Sequence, residues 1–167
     1  MTESTRRLAR IALLVAVATT LSIAESLIPK PLPWLRLGLA NGVTLLAIVR
    51  LGFGAALAIT AVRIALAGLL LGTIGSPTFV LSVLGGGLAA LVMGIAARGA
   101  ARWLSLIGIS VLGSVAHVIG QLAALGALWG AGAGPILFLP VFVAGAVPMG
   151  IVTGAIILAV HRRLPPW

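Results

Sequence analysis

The chain contains no cysteine, no tyrosine and no aspartate, and its acidic residues are Glu3 and Glu25. The lack of cysteine excludes disulfides and thiolate ligands. An enzyme that holds Mg²⁺ against a diphosphate needs several carboxylates, which two glutamates in different parts of the chain do not supply. The only lysine, Lys30, lies outside any Walker A sequence, so ATP hydrolysis by a P-loop is excluded. No Ser-His-Asp or Cys-His set can be assembled either. We therefore expect a non-catalytic chain without a metal or cofactor.

Charge is also scarce. Charged residues make up 8% of the chain and hydrophobic residues 61%, with a mean hydropathy of +1.27, whereas about a quarter of the residues in a soluble domain are charged. Such a chain cannot cover a globular surface with polar groups, so its solvent is lipid. The net charge of +9 would suggest nucleic acid in a soluble protein. Here it indicates orientation in a membrane and attraction to anionic lipid headgroups, with no nucleic-acid partner.

The apolar residues fall into six segments, and a membrane-spanning helix needs about 20 residues. We predict an all-α integral membrane protein in which residues 1–167 form a single domain, a bundle of six transmembrane helices. The second segment is short, so we expect it to be tilted or lined partly by protein. The start of the chain also resembles a signal peptide, but a retained first span is the simpler interpretation because the rest is membrane-spanning. The predicted spans lie near 8–28, 38–53, 54–72, 78–97, 106–129 and 136–160.

The positive charges predict the orientation of the bundle. With the N-terminus inside, most arginines fall on the cytoplasmic side, only Lys30 and Arg36 fall outside, and Arg63 lies within the third span. This bias follows the positive-inside rule, so we expect both termini in the cytoplasm and a multi-pass protein of the cytoplasmic membrane. The arginines assigned to the cytoplasmic side are Arg6, Arg7, Arg10, Arg50, Arg98, Arg102, Arg162 and Arg163.

Small residues recur every four positions on three of the spans. Such rows let helix backbones approach closely in lipid. We expect the rows on the fourth and sixth spans to pack within the bundle, whereas the first-span row could instead be a docking face for another protein. The three rows are Ala12, Ala16 and Thr20; Ser82, Gly86, Ala90 and Gly94; and Ala146, Gly150 and Gly154.

Polar side chains inside a bilayer are costly and tend to mark pathways or sites. Five such residues are Glu25, Asn41, Arg63, His117 and Gln121. At a rise of about 1.5 Å per residue, all five lie at the middle or in the outer half of their spans, so they are expected to converge there. On the fifth span, His117 and Gln121 continue a stripe that begins with Ser110 and Ser114. Its helical spacing predicts that this stripe faces protein or water and not lipid.

Each of these residues has alternative interpretations. Arg63 is ionised and could form a charge-neutralising pair with Glu25, or it could anchor an anionic or carbonyl-bearing ligand. His117 and Gln121 could form interhelical hydrogen bonds, contact a ligand, or relay protons. A lone histidine without further ligands nearby does not indicate a metal site. In the proline-rich outer turn, Trp34 could belong to a lid over a ligand or could simply contact lipid headgroups.

Five motifs in order resemble one family, the Gx transporter family, also catalogued as heptaprenyl diphosphate synthase component I. They are "AESLIP" in the first span, "LRLGLANGVTLLAI" into the second, "RIALAGLLLG" in the third, "SVLGGGLAALVM" in the fourth and "GISVLGSVAHVIGQL" in the fifth. The resemblance covers roughly residues 7–163. One departure is that family members read His-Asn before the Gly-Gln pair, whereas Val118 follows His117 here. Any contact made by that asparagine is therefore missing.

The family is similar in size and six-helix layout to the S components of energy-coupling-factor vitamin transporters, which bind a ligand near the outer face. The resemblance implies a fold of that kind, with Ala12 and Ala16 docking a transmembrane coupling subunit that is powered by separate ATPases. It also implies that Glu25, Trp34, Asn41, Arg63, His117 and Gln121 surround a small-molecule ligand.

Three functions are compatible with these features. The first is the substrate-binding membrane subunit of an uptake transporter for a vitamin, a flavin or an isoprenoid/quinone precursor. The second is a non-catalytic membrane subunit of a prenyl (heptaprenyl) diphosphate synthase, whose soluble partner would carry the metal-binding aspartates. The third is an assembly factor for a membrane redox or flavin complex, which would need no cavity.

Overall fold

The computed structural model describes residues 2–28, 38–100, 102–129 and 137–165. Over these ranges the chain forms six α-helices and no strand. Five of them, all except the second, are long and apolar enough to cross a membrane, which confirms the prediction of an all-α membrane protein. The helices are α1 (Glu3–Leu27), α2 (Leu39–Leu51), α3 (Phe53–Leu70), α4 (Pro77–Gly99), α5 (Leu106–Trp129) and α6 (Leu139–Arg163).

Local sequence signals explain several of the helix ends. Thr2 caps α1 by accepting a hydrogen bond from the Thr5 amide, and Ser76 caps α4 with Pro77 in the first turn. Between α2 and α3 the chain reverses at Gly52, whose φ of 90° is accessible to glycine because it has no Cβ. This one-residue connection is why the predicted second and third spans, 38–53 and 54–72, adjoin each other in the sequence.

The short helix α2 is the centre of the bundle. It contacts all five of the other helices, and residues 40–48 are all buried. Its 13 residues span about 20 Å, less than the hydrocarbon core of a bilayer. The prediction that the second segment is short and lined by protein is therefore confirmed. Around α2, the long helices follow one another in the order α1, α3, α4, α5 and α6.

Glycines make the closest helix contacts. A Cβ placed on Gly150 would lie 2.7 Å from Val111 Cα, and one placed on Gly154 would lie 2.7 Å from Ile107 Cα, so α6 packs directly on α5. On α4, a Cβ at Gly94 would overlap the ring of Phe53 at the start of α3. The predicted packing of the small-residue rows on the fourth and sixth spans is thus confirmed. Ala12 and Ala16 on α1 are exposed, and their docking role stays a prediction.

The bundle has two chemically different ends. We call the end at which α1, α3 and α5 finish and α2, α4 and α6 begin the Glu25 end. At the opposite end, called the Arg50 end, α1, α3 and α5 begin and α2, α4 and α6 finish. The arginines that the sequence assigned to one side all lie at or near the Arg50 end, whereas Arg63 lies within α3. Large apolar side chains are exposed along the five long helices, as lipid-facing surfaces require.

Arg50 joins the ends of α2 and α6. Its Nε donates to His161 Nδ1 at 3.0 Å, and its terminal nitrogens donate to the main-chain oxygens of His161, Leu164 and Pro165. The last carbonyls of a helix have no partner within that helix, and a basic side chain near the C-terminus can bond them. Arg50 therefore holds the final turn of α6 against the central helix.

Replacing Arg50 with alanine is expected to lower the free energy of unfolding by about 1–3 kcal/mol, because it removes charge-assisted hydrogen bonds to several carbonyls at once. Arg162→Ala, at an exposed position of the same helix end, is the control and is expected to change stability by less than about 0.5 kcal/mol. Unfolding in mixed micelles monitored by circular dichroism measures both. Equal effects of the two substitutions would show that the Arg50 cap adds no stability.

Candidate functional site

Arg63 is the centre of a polar cluster that joins three helices. Its side chain, on α3, is only 5% exposed. Nη1 donates to Ser22 Oγ on α1 at 3.1 Å, and Nη2 donates to Asn41 Oδ1 on α2 at 2.8 Å. The guanidinium therefore links α1, α2 and α3 near the Glu25 end through a fixed fork of donors.

Glu25 has a different role at the same end. Its carboxylate, on a side chain 3% exposed, accepts a hydrogen bond from the Leu39 amide at the first residue of α2. The residue at the N-cap position of α2 is Gly38, which offers no side chain for capping. Glu25 supplies that missing cap from α1, where a negative charge is also favoured by the dipole of α2.

Both members of the predicted Glu25–Arg63 pair thus belong to one cluster. Ser22, which bonds Arg63, lies three residues before Glu25 and so on the same side of α1. The hydrogen bonds described for the two side chains join Arg63 to Ser22 and Asn41, and Glu25 to the backbone of α2. A direct ion pair between Glu25 and Arg63 stays a prediction.

A ladder of polar contacts continues from Arg63 toward the middle of the bundle. Thr44 lies three residues after Asn41 on α2, and Thr60 lies three residues before Arg63 on α3. Their hydroxyl oxygens are 2.9 Å apart and both side chains are buried. The two interhelical contacts, Asn41 with Arg63 and Thr44 with Thr60, fix the register of α2 against α3.

A crevice of about 20 Å³, room for one or two water molecules, lies beside Arg63 between α1, α3 and α4. The guanidinium forms part of its wall together with the hydroxyl-bearing Ser22, Thr73 and Ser82. The opposite wall is apolar and includes Phe79, whose ring packs against Gly68: a Cβ on Gly68 would lie 2.7 Å from the ring. The crevice therefore combines one cation, several hydroxyls and an aromatic surface.

His117 and Gln121 lie on the other side of α4. A Cβ on Gly85 would lie 2.9 Å from Gln121 Cγ and 3.0 Å from His117 Cε1, whereas a Cβ on the next residue, Gly86, would lie 3.3 Å from Arg63 Nη2. The adjacent glycines Gly85 and Gly86, here the glycine pair, thus let α5 and α3 approach α4 from different directions. Both α5 side chains are buried, which confirms that their stripe faces protein.

The described contacts of these residues fall into two groups, and the convergence of all five on one ligand stays a prediction. Arg63, Asn41 and Glu25 form one group around the N-terminus of α2, and His117 and Gln121 form a second group in the seam between α4 and α5. Of these five side chains, Arg63 is the one that lines the described crevice. Trp34 and the rest of the proline-rich turn lie outside the described residues, so the predicted lid is untested.

Sequence reasoning identified Asn41 but missed Ser22, the other described partner of Arg63. Ser22 was not identified as a site residue, although its spacing of three residues from Glu25 places both on one face of α1. The crevice hydroxyls of Thr73 and Ser82 gave no signal of a site, because Thr73 lies in a turn and Ser82 was assigned to a row of small residues that packs helices. Within the described ranges, no three His, Cys, Asp or Glu side chains gather to hold a metal ion.

The comparisons with known proteins place this chain in one family. Residues 14–160 match the family described as heptaprenyl diphosphate synthase component I, which covers most of the chain and includes every described residue of the site. Neither a curated protein nor a solved structure matches the chain. The match agrees with the resemblance that the five sequence motifs indicate. The chain therefore belongs to the heptaprenyl diphosphate synthase component I family.

Proposed function

We propose that this protein is the substrate-binding membrane subunit of a small-molecule uptake transporter. The observation that carries the proposal is the buried Arg63, held by Ser22 and Asn41 in the wall of a crevice. A charged side chain within a membrane-embedded bundle is costly and tends to mark a substrate pathway. The candidate substrates are a vitamin, a flavin or an isoprenoid/quinone precursor.

In this proposal all six helices cross the cytoplasmic membrane, and both termini are in the cytoplasm. The arginines at the Arg50 end support that orientation through the positive-inside rule. The Glu25 end, with its crevice, then faces the exterior, where an uptake protein must capture its substrate. The length of α2 is compatible with this arrangement because protein and not lipid surrounds it.

Transport also needs partners that convert energy into movement. The exposed Ala12 and Ala16 give α1 a smooth face, which would suit close packing with a transmembrane coupling subunit driven by separate ATPases. The chain itself contains no Walker A sequence, so any ATP hydrolysis would occur on those partners.

Native mass spectrometry of gently purified protein tests the proposal. We expect a population of protein that carries one retained small molecule, released at higher collision energy. Reconstitution into vesicles with the coupling partners should then give uptake of that molecule. Protein that carries only detergent and lipid, even after incubation with a metabolite extract, would contradict the proposal.

The description of the family favours a second candidate, a non-catalytic membrane subunit of a prenyl diphosphate synthase. Because the chain has two glutamates and no aspartate, a soluble partner would have to hold the metal and carry out the elongation. This candidate predicts co-purification with an aspartate-rich partner and stimulation of its activity. Normal product formation by the partner alone would eliminate it.

A further inference from the structure

The crevice between α1, α3 and α4 has a lining that selects by charge. Among the described residues of its wall, the charged group is the guanidinium of Arg63, and the other polar side-chain groups are the hydroxyls of Ser22, Thr73 and Ser82. We infer that this crevice holds an oxyanion group of the ligand, a carboxylate or a phosphate. The inference rests on the proposed binding function and specifies the chemistry of that site.

Among the described residues that line the wall, none carries a carboxylate. Glu25, the acidic residue at this end of the bundle, directs its carboxylate to the Leu39 amide at the start of α2 and does not line the crevice. The Ser82 hydroxyl donates to the Thr78 main-chain oxygen at 2.8 Å, so the donors that suit carboxylate or phosphate oxygens are the guanidinium and the hydroxyls of Ser22 and Thr73. A cationic ligand would find a like charge and no acidic partner in the wall.

The first turns of α4 add a second positive contribution. This 23-residue helix begins at Pro77 after the Ser76 cap, and Phe79 and Ser82 from its first two turns line the crevice. The N-terminus of a helix carries about half a positive charge from its aligned peptide dipoles. The guanidinium and the helix end therefore act on the same space.

The size and the apolar wall limit what accompanies the oxyanion. A volume of about 20 Å³ has room for one or two water molecules, and Phe79, Ile64 and Ala67 form its non-polar surface. This space fits the oxyanion group alone. The rest of the ligand would lie outside the crevice.

Binding of matched probes by isothermal titration calorimetry tests the inference. Benzoate and benzamide have nearly the same shape, but only benzoate is anionic, and phenyl phosphate presents the alternative oxyanion. We expect benzoate or phenyl phosphate to bind at least about tenfold more tightly than benzamide, which corresponds to one charge-assisted hydrogen bond or more. If neither benzoate nor phenyl phosphate binds more tightly than benzamide, the inference is overturned.

A variant at the crevice mouth gives a test that leaves the Arg63 cluster intact. Ser82 is half-buried, lines the crevice and lies in the second turn of α4. An aspartate is tolerated near a helix N-terminus, so Ser82→Asp is expected to fold and to weaken binding of the anionic probe at least about fivefold through like-charge repulsion. Ser82→Asn, which is also larger than serine but neutral, separates the effect of charge from the loss of the hydroxyl: Ser82→Asp should weaken anion binding at least about fivefold more than Ser82→Asn does. Unchanged affinity in Ser82→Asp would overturn the inference.

The oxyanion could come from a solute or from a phospholipid headgroup, and native mass spectrometry from two kinds of nanodisc separates these sources. A retained phosphatidylglycerol that appears only in discs containing it, and that benzoate displaces, identifies a headgroup. A retained small acid in phosphatidylcholine discs identifies a solute.

A neutral or cationic retained molecule would overturn the oxyanion inference while leaving the proposed binding function in place. Discrimination between benzoate and benzamide without any uptake would instead count against the transport role alone.

Discussion

Replacing Arg63 with alanine is expected to remove ligand binding while the bundle still folds. The fraction of protein that carries the retained small molecule in native mass spectrometry should fall at least about tenfold, since a charge-assisted hydrogen bond contributes about 1.5–3 kcal/mol. The change in melting temperature should be small by comparison.

The expected difference between binding and stability has a physical basis. A buried arginine costs desolvation energy, which offsets much of what its hydrogen bonds to Ser22 and Asn41 contribute. After truncation, the crevice beside these two side chains leaves room for water to take the place of the guanidinium. Water cannot supply the positive charge that an anionic ligand needs, so ligand binding is lost even though the bundle remains folded.

Two further variants make the Arg63 result specific. Arg98→Ala removes a cation at the Arg50 end, where Arg98 lies 4.5 Å from the centre of the Phe53 ring, and it should leave the retained molecule in place. Arg63→Lys keeps the charge but loses the planar fork of donors, so binding should be intermediate. If Arg63→Ala reduces folding and binding to the same extent, the residue is structural and the binding proposal loses its main support.

Replacing Gly120 with alanine is expected to cause a large loss of stability. A Cβ at this position would lie 2.6 Å from Leu84 O and 2.9 Å from Gly85 Cα, both main-chain atoms of α4. Because a backbone cannot move aside as a side chain can, α5 must separate from α4. Overpacking of this kind costs about 1–3 kcal/mol, and the unfolding free energy in mixed micelles should fall by that amount.

Gly87→Ala on the facing helix provides the matched control for Gly120→Ala. No atom lies within 4 Å of where its Cβ would be, and alanine is favoured over glycine inside a helix by up to about 1 kcal/mol. Gly87→Ala should therefore be neutral or stabilising. A comparable loss of stability in both variants would show that the close approach of α4 and α5 is not what Gly120 provides.

The composition of the chain was sufficient to predict its class. A chain with 8% charged residues and apolar segments of near-membrane length has no stable soluble fold available to it, and the structure has five helices of spanning length. The short second segment and the buried stripe of α5 could also be predicted, because each depends on the length or helical spacing of one segment alone.

The partners of each polar side chain depended on the tertiary structure. Depth along a helix places Arg63, His117 and Gln121 in the same half of the bundle, but it does not specify the direction in which each helix turns its polar face. That direction is set by which helices pack together, and here the glycine pair Gly85 and Gly86 separates the α5 side chains from Arg63.

The sequence by itself determined that this protein is embedded in a membrane, that most of its arginines lie at one end of the bundle and that the polar residues within its spans are buried. These properties follow from the cost of transferring charged and polar groups into hydrocarbon, which any arrangement of the same helices must respect. Only the tertiary structure decided that α2 is the central helix, that Ser22 and Asn41 hold Arg63, and that a crevice forms beside it. Those features arise from close contacts between residues far apart in the chain, where glycines permit an approach that residue spacing within one helix does not encode.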